Sequence, residues 1–151
     1  MLKIVRCLFQ LVSKQLVGML IIVLIRNELY VHASSITSAS VGVGLLNTLG
    51  NKGGVALRFR VHDTMFCFVA SHLAAFDEMV EKRNSDYREL TRRITFPLIN
   101  DPSEQSTEKT FASVFDCDCL FWMVSTGWTC ALPRVDHCSP SGRLATSSYI
   151  Q

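Results

Sequence analysis

Two neighbouring strand patterns, joined by a turn of two residues, constrain the fold of this chain most. Apolar residues alternate with others over 55–61, which predicts a half-buried β-strand. Residues 65–70 form an unbroken apolar run, which predicts a fully buried strand. Asp63-Thr64 between them is typical of a tight turn. Residues 55–70 are therefore predicted to form a β-hairpin.

Polar loops flank this hairpin on both sides. Residues 50–54 (Gly-Asn-Lys-Gly-Gly) precede it, and 71–75 (Ser-His-Leu-Ala-Ala) follow it. Glycine lets the backbone approach a ligand closely, Lys52 carries a flexible positive charge, and the amide of Asn51 can donate a hydrogen bond. His72, at the end of an apolar strand, could donate to a phosphate. The ordinary alternatives are a glycine-rich turn with Lys52 in solvent and a histidine that is hydrogen-bonded locally.

The N-terminal half contains one more clear strand. Residues 17–25 are a β-branched-rich apolar run, predicted to be a buried strand. A signal peptide or anchor is the alternative, but the run is shorter than the about 20 residues that span a bilayer. Residues 1–16 are predicted to form a short amphipathic helix, 34–40 a loop or short edge strand, and 41–54 a long glycine-containing loop.

A helix is predicted over 77–94. Val80, Tyr87, Leu90 and Ile94 fall on one face, and Pro97 lies beyond the end. The charged run 81–87 within it is expected to be a solvated face with i,i+4 pairs. After a polar loop over 100–110, residues 115–123 predict another strand.

Composition narrows the class of protein. The net charge is +2 over 151 residues, which does not indicate a nucleic-acid-binding protein. The six cysteines are irregularly spaced, which favours a reducing, cytoplasmic compartment without disulfides. Zinc binding is an alternative, but the spacing of the cysteine and histidine residues does not match that of a zinc finger or ribbon. Its candidate ligands are Cys117, Cys119, Cys130, His137 and Cys138.

Taken together, the motifs resemble those of the inositol polyphosphate 5-phosphatases over about residues 16–96. Their order is an apolar strand, then 41–46 (Val-Gly-Val-Gly-Leu-Leu), then 50–56 (Gly-Asn-Lys-Gly-Gly-Val-Ala). The hairpin leads to 71–75 and to 81–87 (Glu-Lys-Arg-Asn-Ser-Asp-Tyr), where the similar family segment reads Glu-Arg-Arg-Asn-x-Asp-Tyr.

The resemblance implies an α/β fold of two packed β-sheets flanked by helices. It implies Mg²⁺-dependent hydrolysis of the 5-phosphate of a phosphoinositide lipid or a soluble inositol polyphosphate, on the cytoplasmic surface of membranes. By resemblance, Asn51 and Lys52 would contact a ring phosphate, and His72 would be catalytic at the 5-phosphate. A loop carrying Leu45, Leu46 and Leu49 would face the bilayer.

Parts of the family pattern have no match in these 151 residues. The family places an Asn and a metal-binding Glu upstream of the matched region, and later elements read Gly-Asp-x-Asn-Tyr-Arg, Pro-Ala-Trp-Cys-Asp-Arg and Ser-Asp-His. Here Phe121-Trp122-Met123 runs into Val-Ser-Thr-Gly. The ligands of Mg²⁺ are thus not expected within this chain. We expect residues 1–123 to be part of a catalytic domain and 124–151 to be a divergent, disordered tail.

These departures leave alternatives of a different kind. The chain alone is expected to be inactive. A non-catalytic, phosphoinositide-binding or interaction protein is therefore an alternative to an enzyme. Phosphatase activity on a defined lipid separates the two. A small protein anchored in the membrane by residues 17–25 is the third alternative.

Overall fold

The computed structural model describes residues 8–43, 52–98 and 111–125. These residues are mostly β, with few helices. Along the chain they form β1 (Leu8–Leu16), β2 (Met19–Arg26), α1 (Asn27–Tyr30), β3 (Ala33–Gly42), β4 (Gly53–Val61), β5 (Thr64–His72), α2 (Val80–Arg93), β6 (Thr95–Pro97), β7 (Phe111–Ser113) and β8 (Cys119–Ser125).

The predicted hairpin is confirmed as the centre of the largest sheet in these ranges. Its strand order is β3-β4-β5-β8, with β8 parallel to β5 and the other pairs antiparallel. Val61 pairs with Thr64, so the turn consists of His62 and Asp63, one residue earlier than predicted. The left-handed φ of His62, 51°, lets the two strands reverse within two residues.

Strand β4 is covered on both faces. One face packs against β2, where Ile21 contacts the cluster of Val55 and Leu57. The other face packs against α2, where Leu90 lies in the same cluster as Ala56. The predicted half-buried pattern is therefore wrong for residues 55–59, which are all buried, because two layers cover β4 rather than one.

The neighbouring strand β5 is less buried than the sequence predicted, whereas β4 is more buried. Its residues alternate between buried and half-buried over its whole length. The prediction of a fully buried strand at 65–70 is therefore wrong, although the strand itself is confirmed. Half-buried aromatic side chains occupy one face, where the rings of Phe68 and Phe121 stack at 4.8 Å.

The helix predicted at residues 1–16 is wrong for residues 8–16, the part that the structure describes. Residues 8–16 form β1, which pairs antiparallel with β2. Strand β2 confirms the strand predicted at 17–25, but Leu20, Ile22 and Leu24 on one of its faces are exposed. In the described ranges, no helix combines the length and apolarity needed to cross a bilayer.

The segment predicted as a loop or short edge, 34–40, is part of β3, a ten-residue strand at one edge of the sheet. The loop predicted at 41–54 is wrong at its two ends, since Val41 and Gly42 belong to β3 and Gly53 and Gly54 belong to β4. Residues 44–51 lie outside the described ranges.

Helix α2 confirms the predicted helix. It follows a 3₁₀ turn at Asp77–Met79 and ends at Arg93. Leu90 and Ile94 are buried, as the apolar face predicted, whereas Val80 is 43% exposed because it precedes the part of the helix that reaches the sheet. The helix ends before Pro97, which lies in β6.

Strand β8 occupies part of the region predicted at 115–123. It begins at Cys119, after a turn over 114–118, and continues to Ser125. Val124 and Ser125, placed in the tail by the sequence, thus belong to this strand. The remaining tail residues, 126–151, and the whole predicted polar loop, 100–110, lie outside the described ranges.

Candidate functional site

The structure brings together two of the predicted site residues, Lys52 and His72. Lys52 precedes β4, His72 ends β5, and Gly53 pairs with His72 across the two strands. The Lys52 Nζ lies 2.7 Å from the His72 Nε2. The hairpin register therefore converts two loops twenty residues apart into one basic site.

The hydrogen bonds of His72 define its protonation state. Its Nδ1 lies 3.1 Å from the carbonyl oxygen of Ser125 on β8. A carbonyl can only accept, so Nδ1 carries the hydrogen and donates it. Nε2 is then an acceptor, and the Lys52 ammonium donates to it. The ring is held as a neutral imidazole with its Nε2 directed toward a cation.

The pKa values of both basic groups are lowered, for partly different reasons. Burial lowers the pKa of His72 from 6.5, the positive charge of Lys52 lowers it further, and the Ser125 carbonyl raises it. Burial lowers the pKa of Lys52, while the negative charge of Asp86 raises it. Within the described ranges, the ion pairs involve Lys82, Arg92 and Arg93 and not Lys52. An anion placed here would stabilise the charged forms of both residues.

The two glycines after Lys52 allow close packing rather than ligand approach. A Cβ on Gly53 would lie 2.3 Å from the carbonyl oxygen of Val41, on the neighbouring strand. A Cβ on Gly54 would come within 3.2–3.3 Å of Leu90 and Ile94 of α2. Gly53 and Gly54 therefore belong to a closely packed strand rather than to the turn of the ordinary alternative, and Lys52 beside them contacts His72 rather than pointing only to solvent.

The charged motif on α2 supports the loop that follows His72. Arg83 and Asp86 are each only 2% exposed, so the expected solvated face was wrong at these positions. The Asp86 carboxylate accepts a hydrogen bond from the Ala74 N–H at 3.3 Å and pairs with Lys82 at 2.7 Å. Arg83 donates to three backbone carbonyls of the same loop, those of Ala74, Phe76 and Asp77.

This role of Arg83 and Asp86 could not be read from the periodicity of the helix, because their burial depends on the loop that covers them. The sequence signal was the similarity of 81–87 to a family segment. An arginine that satisfies three carbonyls holds a loop in one conformation, so these residues position His72 rather than act on a ligand.

A second support that the sequence did not reveal lies between β5 and β8. The Trp122 Nε1 donates to the Ser71 Oγ at 2.9 Å, and the Ser71 hydroxyl donates to the Met123 carbonyl at 3.4 Å. The indole ring also packs on Tyr87 of α2, with centroids 4.9 Å apart. The residue before His72 is thereby tied to both the strand and the helix beside it.

A cavity of about 500 Å³ opens beside His72. One side is formed by the turn between β1 and β2, residues 17–20. The other side is formed by the ends of β5 and β8, at 70–72 and 123–125. The imidazole therefore borders a space of the size that small ligands occupy.

The other predicted site residues lie outside the described ranges. These are Asn51 and the three leucines of the membrane-facing loop, Leu45, Leu46 and Leu49. Their predicted roles remain predictions.

The described residues do not form a metal site. Over 8–43, 52–98 and 111–125, no three side chains of the histidine, cysteine, aspartate or glutamate type gather around one point. Asp86 is the carboxylate whose charge raises the pKa of Lys52. Its oxygens already accept hydrogen bonds from Lys82 and from the Ala74 N–H. The residues at this site therefore do not fit a resident Mg²⁺.

The zinc alternative gains no support from the cysteines in the structure. Cys67 and Cys119 are free thiols, and Cys117 is buried. Cys117, one of the candidate ligands, donates from Sγ to the Val114 carbonyl at 3.3 Å and is hydrogen-bonded to Cys67, whose pKa is raised by this contact and by burial. The other candidate ligands, Cys130, His137 and Cys138, lie outside the described ranges.

Comparison with known proteins gives one consistent result. The sequence profile of Endonuclease/Exonuclease/phosphatase family 2 matches residues 6–126. The chain is 43% identical over 90 residues to the mouse type II inositol 1,4,5-trisphosphate 5-phosphatase, covering 60% of this chain and 9% of the relative. It is 37% identical over 123 residues to the Arabidopsis thaliana type I inositol polyphosphate 5-phosphatase 5, covering 80% of this chain and 22% of the relative.

A solved structure agrees with these sequences. The inositol polyphosphate 5-phosphatase domain of SPsynaptojanin, in complex with inositol (1,4)-bisphosphate and a calcium ion, matches with a TM-score of 0.63 and 30% identity. The match covers 78% of this chain and 30% of that domain structure. The chain thus spans less than a third of the length of these relatives.

Proposed function

The chain belongs to the inositol polyphosphate 5-phosphatases, within endonuclease/exonuclease/phosphatase family 2, and from this premise we propose that it carries their phosphate-binding centre. The observation that supports this proposal most is the contact between Lys52 and His72, two basic groups 2.7 Å apart, of which His72 lines a cavity. The ligand we propose is an inositol phosphate, either as a soluble molecule or as the head group of a phosphoinositide.

The two residues would interact with phosphate differently. Lys52 is a point charge on a flexible stem, and it can follow a phosphate oxygen away from the imidazole. His72 is fixed by Ser125 through Nδ1, so its Nε2 stays directed at the same point. To donate to a phosphate oxygen, Nε2 must take up a proton. Phosphate binding is therefore expected to be coupled to the protonation of His72.

Proton uptake provides a direct test on the 151-residue chain. Inositol 1,4,5-trisphosphate is titrated by calorimetry in two buffers of different ionisation enthalpy, above the pKa of His72. We expect an uptake approaching one proton in the native protein and a smaller uptake in His72→Ala. Loss of one charge-assisted hydrogen bond, about 1.5–3 kcal/mol, should weaken binding to Lys52→Ala at least tenfold.

The control for this titration is Arg92→Ala, which removes an exposed positive charge that pairs with Glu89 on the helix rather than with His72 or Asp86. Equal affinities for the native protein, Lys52→Ala and Arg92→Ala would show that phosphate does not bind at the basic pair, and the proposal would then be withdrawn.

In a complete enzyme, we propose that Lys52 and Asn51 bind a ring phosphate and that His72 acts at the 5-phosphate. A uniform contact of the Lys52 type lowers KM without changing the chemical step, whereas a transition-state donor raises kcat. In a chimera that joins these 151 residues to the other segments of a relative's catalytic domain, Lys52→Ala should mainly raise KM. His72→Ala should lower kcat by about 10²–10³, the effect of removing one such donor. A change in KM alone for His72→Ala would exclude its role at the reacting phosphate.

The remaining features of the proposal follow from the family. They are a two-sheet sandwich in the complete domain, a requirement for Mg²⁺ held by residues other than those described, and a cytoplasmic enzyme at the membrane surface, with Leu45, Leu46 and Leu49 facing the bilayer. By itself the 151-residue chain is proposed to bind without turnover, because its sequence does not match the carboxylate-bearing motifs of the family. Mg²⁺-dependent phosphate release that His72→Ala abolishes would contradict this.

A further inference from the structure

Helix α2 reaches the end of β3, close to Lys52, through its last residue, Arg93. The Arg93 Nη1 donates to the Gly42 carbonyl at the end of β3, at 3.2 Å. The same nitrogen donates to the Glu89 carboxylate one turn earlier in the helix, also at 3.2 Å. The Arg93 side chain is only 33% exposed. Its guanidinium is therefore held between a carboxylate of the helix and a carbonyl of the neighbouring strand.

The end of β3 in turn fixes the backbone of Lys52. Gly42 pairs with Gly53, the residue that follows Lys52. The Val43 N–H donates to the Lys52 carbonyl at 2.9 Å, and Val43 is only 5% exposed. The main chain of Lys52 is therefore anchored to a buried residue that directly follows the one held by Arg93.

The position of this backbone decides where the Lys52 charge lies. In the described ranges, the Lys52 ammonium is hydrogen-bonded to the His72 imidazole. A lysine side chain is long and flexible, and it loses much rotamer freedom when its ammonium is held at one point. The ammonium therefore stays beside His72 only where the main chain that carries it is fixed.

We propose that Arg93 is a positioning residue for phosphate binding, which acts by holding the end of β3 and, through it, the backbone of Lys52. The inference rests on the proposed phosphate site and adds the residue that keeps its lysine in place. Helix α2 then supports both members of the basic pair. Arg83 and Asp86 hold the loop after His72. Arg93 holds the strand end beside Lys52.

The test follows the ring of His72 by NMR in the 151-residue chain without ligand. Burial and the charge of Lys52 lower the pKa of His72, and Arg93 is not among the described groups that shift it. Arg93→Met keeps the apolar stem and the helix propensity of arginine, so the variant should fold. The Lys52 ammonium should then be held less closely, and the titration midpoint of His72 should rise toward 6.5. The rise should not exceed that in Lys52→Met.

The matched control is Arg92→Met. Arg92 pairs with the same Glu89 but donates to no backbone carbonyl in the described ranges, so its loss should leave the midpoint in place. In Lys52→Met, where the ammonium is already absent, adding Arg93→Met should produce no further change. A native midpoint in Arg93→Met, an equal rise in Arg92→Met, or a further rise in the double variant would each overturn the inference.

Titration with inositol 1,4,5-trisphosphate separates this inference from the proposed function. We expect Arg93→Met to weaken binding about threefold, less than Lys52→Ala does, because Lys52 is displaced rather than removed. If Lys52→Ala weakens binding and Arg93→Met does not, the phosphate site stands and the positioning role fails. If Lys52→Ala binds as tightly as the native chain, the phosphate site fails, and the role of Arg93 in phosphate binding fails with it, whatever the midpoint shows.

Discussion

The two ends of the β4–β5 hairpin both contain basic side chains, but these chains are used differently. At the turn end, Arg58 is buried and donates from Nε and Nη2 to the Asp116 carbonyl at 3.3 and 3.2 Å. At the open end, Lys52 contacts an imidazole instead of an oxygen. A cation matched by fixed oxygens is already satisfied, whereas a cation against a neutral imidazole gains by meeting an anion.

The surroundings strengthen the contrast. At the turn end, the Met65 N–H donates to the Asp118 carboxylate at 2.8 Å, and the Asp118 N–H donates to the Met65 carbonyl at 2.8 Å. The polar groups there connect the hairpin to the segment before β8. At the open end, Asp86 is turned toward the Ala74 N–H and Lys82. We therefore expect substitutions at the turn end to change stability and substitutions of the basic pair to change ligand binding.

The largest effect on stability is expected from Gly53→Ala. This substitution tests whether the open end of the hairpin depends on the close approach of β3 and β4. The new Cβ would lie 2.3 Å from the Val41 carbonyl oxygen, so the edge strand would have to shift. Overpacking of this kind should lower the free energy of unfolding by about 3 kcal/mol, measured by urea denaturation. Gly18→Ala is the control, since no atom lies within 4 Å of its Cβ position, and it should change stability by less than about 1 kcal/mol.

Arg83→Met should have the next largest effect. The methionine fills similar space but leaves the carbonyls of the loop after His72 without their donor. We expect a loss of about 2–3 kcal/mol in stability, and weaker phosphate binding because His72 is no longer positioned. Arg92→Met, at a side chain 72% exposed and paired with Glu89, should change stability by about 0.5 kcal/mol or less. Comparable losses in the two variants would mean that Arg83 does not support the loop.

Arg58→Met tests the turn end directly. Its two hydrogen bonds to the Asp116 carbonyl would be lost, and stability should fall by about 2 kcal/mol while trisphosphate affinity stays unchanged. Arg60→Met, at an exposed residue on the same strand, is the control and should be nearly neutral. Loss of ligand binding in Arg58→Met without loss of stability would reverse the assignment of the two ends.

The smallest expected effect is a change of stability with pH that is due to His72. Because its folded pKa lies below 6.5, the unfolded chain binds more protons near this pH, and stability should decrease as the pH falls through 6.5. Lys52→Met removes the second cause of the shift, so the pKa should rise toward 6.5 but stay below it, since burial remains. The ring Cε1–H resonance followed by NMR gives the midpoint. Arg60→Met, which removes a charge at the turn end, should leave that midpoint in place.

The sequence predicted what depends on local periodicity. The hairpin and helix α2 follow from runs of apolar residues at spacings of two and of three to four, and both are present. The failures depend on tertiary packing. β1 is stabilised by its pairing with β2 rather than by its own pattern, and the burial of β4 depends on layers that are distant in sequence.

The candidate site shows the same division. Lys52 and His72 were identified from loops on either side of a predicted hairpin, and the hairpin register brings them together. The support from Ser125 could not be predicted, because no local pattern specifies that β8 pairs parallel to β5 in this register. Family similarity identified the motif on α2, but only the covering loop explains why Arg83 and Asp86 are buried.

The parallel pairing of β5 with β8 has a consequence for the order of folding. The hairpin closes through a turn of two residues, whereas the contact from His72 to Ser125 closes a loop of 53 residues. By loop-closure entropy this contact costs about 3 kcal/mol more to bring together. The hairpin can therefore form early, while the imidazole acquires its fixed orientation only when β8 docks. A chain caught between these two events would have its strands paired but its histidine free to rotate.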